Sequence, residues 1–307
     1  MSGTRLRLGT RGSALALAQS AGIAATLIAH LGREVEMVSV QTRGDSSPVA
    51  IAQLGGTGVF VTALRDALLE DAVDLAVHSY KDLPTAAAPD LVVAAVPRRE
   101  DPRDVLVARD GQTLGELGQG ARVGTGSPRR TAQLRALGLG LDVVGVRGNV
   151  DTRLGKVASG ELDAVVLARA GLARLDRLAE VTEVLDPLQV LPAPGQGALA
   201  VECRAADDEL AAMLGALDDP DSRTAVEAER ALLAALEGGC TAPVGALAEV
   251  AEGDAGPEIY LRGLVAAVDG SDAVRLSATG PTSDATGVGR RLAAELLDLG
   301  AGRLMGT

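Results

Sequence analysis

The 307-residue chain contains no tryptophan, one phenylalanine, two tyrosines, two cysteines and two histidines. So few aromatic rings leave no stacking platform for single-stranded nucleic acid and no aromatic cage for a cationic ligand. Two histidines and two cysteines, scattered along the sequence, form no Cys/His ligand cluster, so no metal site is expected. The cysteines sit in unlike settings, one in an apolar run and one in a glycine-rich loop, which argues against a structural disulfide. A net charge of −12 repels nucleic acid and anionic membrane in bulk. No apolar run approaches the roughly 20 residues that span a bilayer, and the stretch from Met1 to Arg7 has no apolar signal core. A cytoplasmic protein is expected.

What is present is apolar residues, 47% of the chain, enough to fill sizeable cores over a length that suits two or three domains. Of 29 basic residues only Lys81 and Lys156 are lysines. A coding bias toward arginine explains most of this imbalance. Arginine also presents a planar fork of donors that grips carboxylates or phosphates at two points. In so acidic a chain, an anionic ligand requires a local cluster of such forks.

In chain order, Arg5 to Gly9 reads as a strand that runs into Gly9-Thr10-Arg11-Gly12-Ser13, and an Ala/Leu-rich helix follows from about Ala14 to Leu31. Glycines and hydroxyls at a helix start expose N–H groups and the positive end of the dipole, which suits an anion; Ser13 would also serve as a plain N-cap. Glu34 to Gln41 is the next strand, Thr42 to Gly58 suits a loop over a site, and a helix from Val59 to Glu70 leads to the strand Val73 to Val77. That strand ends in His78-Ser79-Tyr80-Lys81-Asp82-Leu83-Pro84, polar groups at the carboxyl end of a buried strand, where open α/β sheets place their ligands. A solvated turn is the plain alternative, and His78 alone reads as structural.

After a strand at Leu91 to Val96, the charged stretch Pro97 to Asp104 is bracketed by prolines and looks like a crossing between domains. Beyond Val105 to Ala108 the pattern begins again. Arg122-Val123-Gly124-Thr125-Gly126-Ser127-Pro128 echoes the first turn, and Glu161 to Leu167 echoes Asp71 to Val77. Two lobes of related βα design, each offering a helix start to a cleft, explain both echoes. Between Arg122 and Arg153 lie six arginines (122, 129, 130, 135, 147, 153) against Asp142 and Asp151, a local excess of 6 − 2 = 4. Arg129 and Arg130 fall in the first turn of a helix, where the dipole disfavours cations, so they are expected beside a bound anion.

Leu191 to Gly197 is a second crossing, after which the strand Ala198 to Cys203 returns to finish lobe one, with Cys203 as a small buried hydrophobe. A helix from Ser222 to Leu236, strands at Val244 to Val250, Ile259 to Asp269 and Ala273 to Ala278, and a helix from Gly287 to Leu299 make a small α+β unit. Between its first helix and first strand lies Glu237-Gly238-Gly239-Cys240-Thr241-Ala242-Pro243. The glycines and proline stop the helix and put Cys240 on irregular backbone where packing calls for no sulfur.

GTRGS, HSYKDLPT, REDPRD, GTGSPRR, RGNVDTR, LPAPGQGALAVECR and EGGCTAPVG, in this order and spacing, resemble the porphobilinogen deaminase (hydroxymethylbilane synthase) family over essentially the whole chain. The resemblance implies an α/β fold: two lobes like those of type II periplasmic binding proteins, plus a small α+β domain. It divides the chain into domain 1 (1–98 and 198–216), domain 2 (99–197) and domain 3 (217–307). It implies a dipyrromethane cofactor joined to Cys240 through a thioether, and condensation of four porphobilinogen molecules with loss of ammonia to give hydroxymethylbilane.

Carried onto this sequence, the resemblance implies catalytic roles for Asp82, Lys81 and Arg11. It implies cofactor contacts from Cys240, Lys81, Asp82, Thr125, Ser127, Arg129, Arg130, Arg147 and Gly148, and substrate contacts from Arg11, Ser13, Arg147, Arg153, Arg174 and Gln196. A monomer with no nucleic-acid or membrane partner is expected. The chain departs from the family pattern at Thr57, where lysine is frequent, and at Tyr80, where Met or Leu is common. Two other readings fit the residues: a two-lobed anion-binding protein without catalysis, and a cysteine hydrolase pairing Cys240 with His78.

Overall fold

The structure, a computed structural model, describes residues 5–40, 58–237, 242–253 and 256–305. Of the expected loop at 42–58, residues 42–57, Thr57 among them, lie outside the described residues, as does Cys240. The elements run β1 (Leu6–Thr10), α1 (Ala14–Leu31), β2 (Val35–Ser39), α2 (Gly58–Leu69), β3 (Leu75–Ser79), β4 (Leu91–Ala95), β5 (Asp104–Ala108) and β6 (Arg122–Thr125). There follow α3 (Pro128–Ala136), β7 (Asp142–Gly145), α4 (Val150–Ala158), β8 (Ala164–Ala168), α5 (Arg169–Arg174), β9 (Glu183–Val184), β10 (Leu199–Arg204) and α6 (Asp208–Leu214). Last come α7 (Pro220–Ala235), β11 (Val244–Gly253), β12 (Gly256–Ala266), β13 (Ala273–Pro281) and α8 (Ala285–Asp298). The chain falls into two compact units, Met1–Arg99 with Ala198–Arg223, and Glu100–Gly197 with Thr224–Thr307.

The first unit holds a five-stranded sheet ordered β2-β1-β3-β10-β4. β1 runs parallel to β2 and β3, and β10 lies antiparallel between β3 and β4, so the late strand does return to complete the early sheet. Leu8, Leu27, Leu75, Val77, Val201 and Cys203 fill its core. Burial, with the charge of Asp207 adding to it, pushes the Cys203 thiol up to about 11, as befits an inert packing sulfur.

α1 corrects one expectation. Its 18 residues average a hydropathy of 1.6, apolar enough by length and composition to cross a membrane. The helix instead lays Ile23, Ala24 and Leu27 on the sheet, beside two buried polar residues, Gln19 and Ser20. Those two hydrogen-bond to Ser79 (2.9 Å) and Thr10 (2.7 Å), pinning α1 to the ends of β3 and β1.

The second unit contains a sheet of the same plan, β7-β6-β8-β5-β9, with β6 parallel to β7 and β8 and with β5 antiparallel between β8 and β9. The resemblance between the lobes reaches individual hydrogen bonds. In one, Arg7 N donates to Asp74 Oδ2 (2.7 Å) and Asp74 N to Arg7 O (2.8 Å); in the other, Arg122 N donates to Asp163 Oδ2 (2.7 Å) and Asp163 N to Arg122 O (2.9 Å). Gly9 and Gly124 both run against packed aliphatic side chains: a Cβ would lie a tight 3.1 Å from Val73 at the first and 2.6 Å from Leu162, too close to fit without a shift, at the second. The two lobes therefore repeat one α/β plan, each a mainly parallel sheet with one antiparallel strand inserted next to the edge.

The same unit carries a three-stranded antiparallel sheet, β11-β12-β13. α7 and α8 cover one face through Leu232, Leu236, Ile259, Leu261, Val288 and Leu292. On the other face Leu247, Leu264 and Ala266 pack against Ala132 of α3 and Leu191 of the second crossing. Glu229 of α7, fully buried, accepts from Gly195 N (2.6 Å) and Ala248 N (2.8 Å), tying that crossing to this α+β part.

Candidate active site

The carboxyl ends of the central strands carry the polar side chains in both lobes. In the first, β1 ends at Thr10 and three residues later Ser13 caps α1, its side chain accepting from Ala16 N at 3.3 Å. β3 ends at Ser79 and turns through a short 3-10 segment, Tyr80–Asp82. Tyr80 packs inward, whereas Lys81 and Asp82 are half-buried, as is Arg11. Among the described residues the Asp82 carboxylate forms no ion pair with Lys81 or an arginine. The turn is thus built into the sheet, with Tyr80 N donating to Ala198 O at 3.0 Å.

Beneath this turn, His78 is buried and its Nε2 lies 3.3 Å from Glu202 Oε2 on β10, off the hydrogen-bonding line. Arg65 of α2 clasps the same carboxylate with Nη2 (2.8 Å) and Nε (3.1 Å). Burial opposes the charge on Glu202, but the nearby His78 and the hydrogen-bonded Arg65 outweigh it and hold the carboxyl below its usual range. A histidine buried against glutamate in this way is structural, which removes the basis for pairing it with Cys240.

In the second lobe Thr125 is buried at the end of β6, its Oγ1 accepting from Ser127 N (3.2 Å), and Ser127 caps α3 by accepting from Arg130 N (3.4 Å). Gly126 passes so close to β7's extension that a Cβ would lie 2.7 Å from Val146 O. Asn149 caps α4, and Gly148, at φ +103°, turns its carbonyl to accept from Arg153 Nε at 2.9 Å. Burial, then the charge of Arg130, pushes the Arg153 guanidinium down from its ordinary value. Arg174 is pushed down by burial, which the charge of Glu100 opposes, and it donates to Gly197 O at 2.6 Å. Arg147 is exposed, as are Arg122 and Arg135 on the lobe's surface.

Arg129 and Arg130 are both buried, and the anion beside them belongs to the chain. Arg129 Nη2 and Arg130 Nη2 donate to the two oxygens of Asp104 at 2.8 and 2.7 Å, and Gln196 Nε2 joins them at 2.7 Å. The expectation that first-turn arginines require a bound anion is corrected accordingly, since Asp104 supplies one. Burial opposes ionisation of Asp104, but Arg129, Arg130 and Gln196 outweigh it and drive the carboxyl far below its usual range. Two cations against one anion still leave this buried node at 2 − 1 = +1. Asp104 escaped the sequence reading because it stands at a domain crossing in the charged run REDPRD, where solvated acids are the ordinary expectation. Its place at the head of a fully buried strand was the available signal.

Two family models match the chain: "Porphobilinogen deaminase, dipyromethane cofactor binding domain" over residues 6–212 and "Porphobilinogen deaminase, C-terminal domain" over 223–298. Among curated proteins, the porphobilinogen deaminase of Mycobacterium tuberculosis (strain ATCC 25618 / H37Rv) is 61% identical over 305 residues, 98% of each chain. That of Nocardia farcinica is 60% identical over 308 residues, covering 99% of this chain and 88% of the relative. Among solved structures, the methionine-binding protein MetQ is 12% identical with a TM-score of 0.44, covering 69% of this chain and 89% of its own.

Proposed function

The chain belongs to the porphobilinogen deaminase family, and on that premise we propose how its lobes divide the work of the reaction. The enzyme condenses four porphobilinogen molecules head to tail, releasing one ammonia at each addition, and water frees the product hydroxymethylbilane for tetrapyrrole synthesis. When bound, the dipyrromethane cofactor supplies the tether and the nucleophilic pyrrole carbon on which that product grows.

The donors in lobe two suit such a group. Acetate and propionate arms call for fixed cationic forks, and Arg129 Nε and Arg130 Nε are buried donors without a partner among the described residues. Those orphaned donors, in a node of net positive charge inside an acidic chain, carry the assignment. We assign Cys240 as the attachment point, with Thr125, Ser127, Arg129, Arg130, Arg147 and Gly148 holding the cofactor's polar groups.

The opposite sign is needed where ammonia leaves, because a cation remains on the substrate pyrrole. Asp82, half-buried and without an ion-pair partner among the described residues, holds the pyrrole N–H groups, stabilises that cation and moves the proton. Lys81 and Arg11 take substrate carboxylates, with Ser13, Arg147, Arg153, Arg174 and Gln196 completing the substrate contacts. The division 1–98 with 198–216, 99–197 and 217–307 is proposed as three domains. A monomer is proposed from the family and a cytoplasmic location from the stretch Met1 to Arg7, which has no apolar signal core, while the net charge of −12 disfavours nucleic acid and anionic membrane as partners.

Incubation with porphobilinogen, following ammonia and hydroxymethylbilane together, tests the reading. The expected ratio is four ammonia per product. Consumption of porphobilinogen without ammonia would overturn the condensation, and binding without consumption would leave the two-lobed binding protein as the better description.

A further inference from the structure

We propose that Asp104 is a positioning residue. It fixes Arg129, Arg130 and Gln196 in ligand-gripping geometry before any ligand arrives, while leaving them enough charge to attract one. This rests on the function proposed above and extends it to a residue outside the ligand contacts.

Asp104 is the first residue of β5, completely buried, and three donors from two separate segments converge on it. Each guanidinium is also held at its other tip, Arg129 Nη1 by Leu191 O (2.5 Å) and Arg130 Nη1 by Val166 O (3.0 Å). A planar fork anchored at both tips cannot swivel, so its Nε edge is aimed by the protein rather than by the ligand. Both Nε atoms are the buried donors that lack a partner among the described residues.

The number of carboxylates matters as much as their place. With none, two adjacent buried cations would repel each other and splay apart. With two, the node would be neutral and its pull on an acidic ligand lost. One leaves the net +1, and by also taking Gln196 Nε2 it locks the second crossing to α3. Asp104 therefore acts through the forks and does not touch the ligand.

The test uses the full-length protein as purified, with Asp104→Glu, Asp104→Asn and, as a control, Asp163→Asn, which removes the carboxylate bonded to Arg122 N and Arg109 at the far side of the same sheet. Three quantities are read for each: the fraction of chains carrying the cofactor by denaturing intact mass, kcat per loaded chain with KM, and the melting temperature. Asp104→Glu keeps the charge but moves it by one methylene. It should fold, carry less cofactor, and lose roughly 10- to 100-fold in kcat per loaded chain with a smaller change in KM. Asp163→Asn should lower the melting temperature and leave kcat per loaded chain near the parent value.

Parental loading and parental kcat in Asp104→Glu would overturn the assignment. So would failure of both Asp104 variants to fold, since Asp104 would then be a determinant of the fold rather than of the forks. A parent protein without added mass would remove the functional reading itself, a result seen before any variant is made.

Discussion

The two lobes share a scaffold down to the Arg7/Asp74 and Arg122/Asp163 bonds, yet they bury their carboxylates differently. In lobe one Glu202 lies in the middle of the antiparallel strand β10, clasped by one arginine, Arg65, and faced by His78. In lobe two Asp104 lies at the head of the equivalent strand β5 and meets two arginines, leaving the node positive. The turns differ as well. Thr10 and Ser13 enclose two residues where Thr125 and Ser127 enclose one, and the additional residue is Arg11. One plan thus gives a lobe whose turns carry Asp82 together with Lys81 and Arg11, and a lobe whose buried node is built from paired arginines. On the proposed reading the first holds the carboxylate that faces the substrate cation and the second the forks that face carboxylates.

The sharpest way to break this comparison is Asp82→Asn. If lobe one stabilises the cation, kcat should fall about 10²- to 10³-fold with KM changed only a few-fold. Retention of half the parental turnover would move the chemistry elsewhere.

Next in size is the pair Arg130→Met and Arg65→Met. Loss of Arg130 leaves Asp104 still bonded to Arg129 and Gln196 and should cost about 1–3 kcal/mol in urea unfolding. Loss of Arg65 takes the arginine from Glu202, whose side chain is only 2% exposed, and should cost more, about 3–5 kcal/mol. Equal costs would show that the two nodes do the same work.

Glycine substitutions sharpen the contrast between the turns. Gly126→Ala would press a methyl to 2.7 Å from Val146 O, whereas at Gly12 the nearest atom would be Ser39 Oγ at 3.8 Å. The first change should cost ~1–3 kcal/mol and the second close to nothing.

The smallest effect is in pH dependence. Asp104 and Glu202 have native carboxyl values below their unfolded ones, so their stabilisation is present above about pH 4 and is lost as pH falls toward the depressed native values. Cys203 is shifted the other way, so its contribution is intact below the ordinary thiol value and disappears as pH rises through about 11. For these three groups the melting temperature should be flat from pH ~5 to ~8.

Most of the fold was legible in the sequence because it is written in patterns of length two to twenty residues. The apolar run Leu199 to Cys203 announced a buried strand, Ser13 and Ser127 announced helix starts, and the Asp-rich echoes announced the paired lobes. The partners of the arginines were not legible. Nothing in the spacing brings Asp104 to Arg129 and Arg130, or Glu202 to Arg65, because separations of 25 and 137 residues are closed only by the sheet. For the same reason Gln196, expected to face substrate, was not seen to turn its amide nitrogen toward Asp104 and Pro102. The apolar length of α1 was also understated, since the average is carried by alanines that hide its two buried polar residues.

Intact mass under denaturing conditions, followed by peptide mapping, tests the central claim most directly. Fully active protein should be heavier than its sequence by one dipyrromethane, with the added mass on the peptide that contains Cys240. Active material at the sequence mass, or with the addition on Cys203, would contradict it.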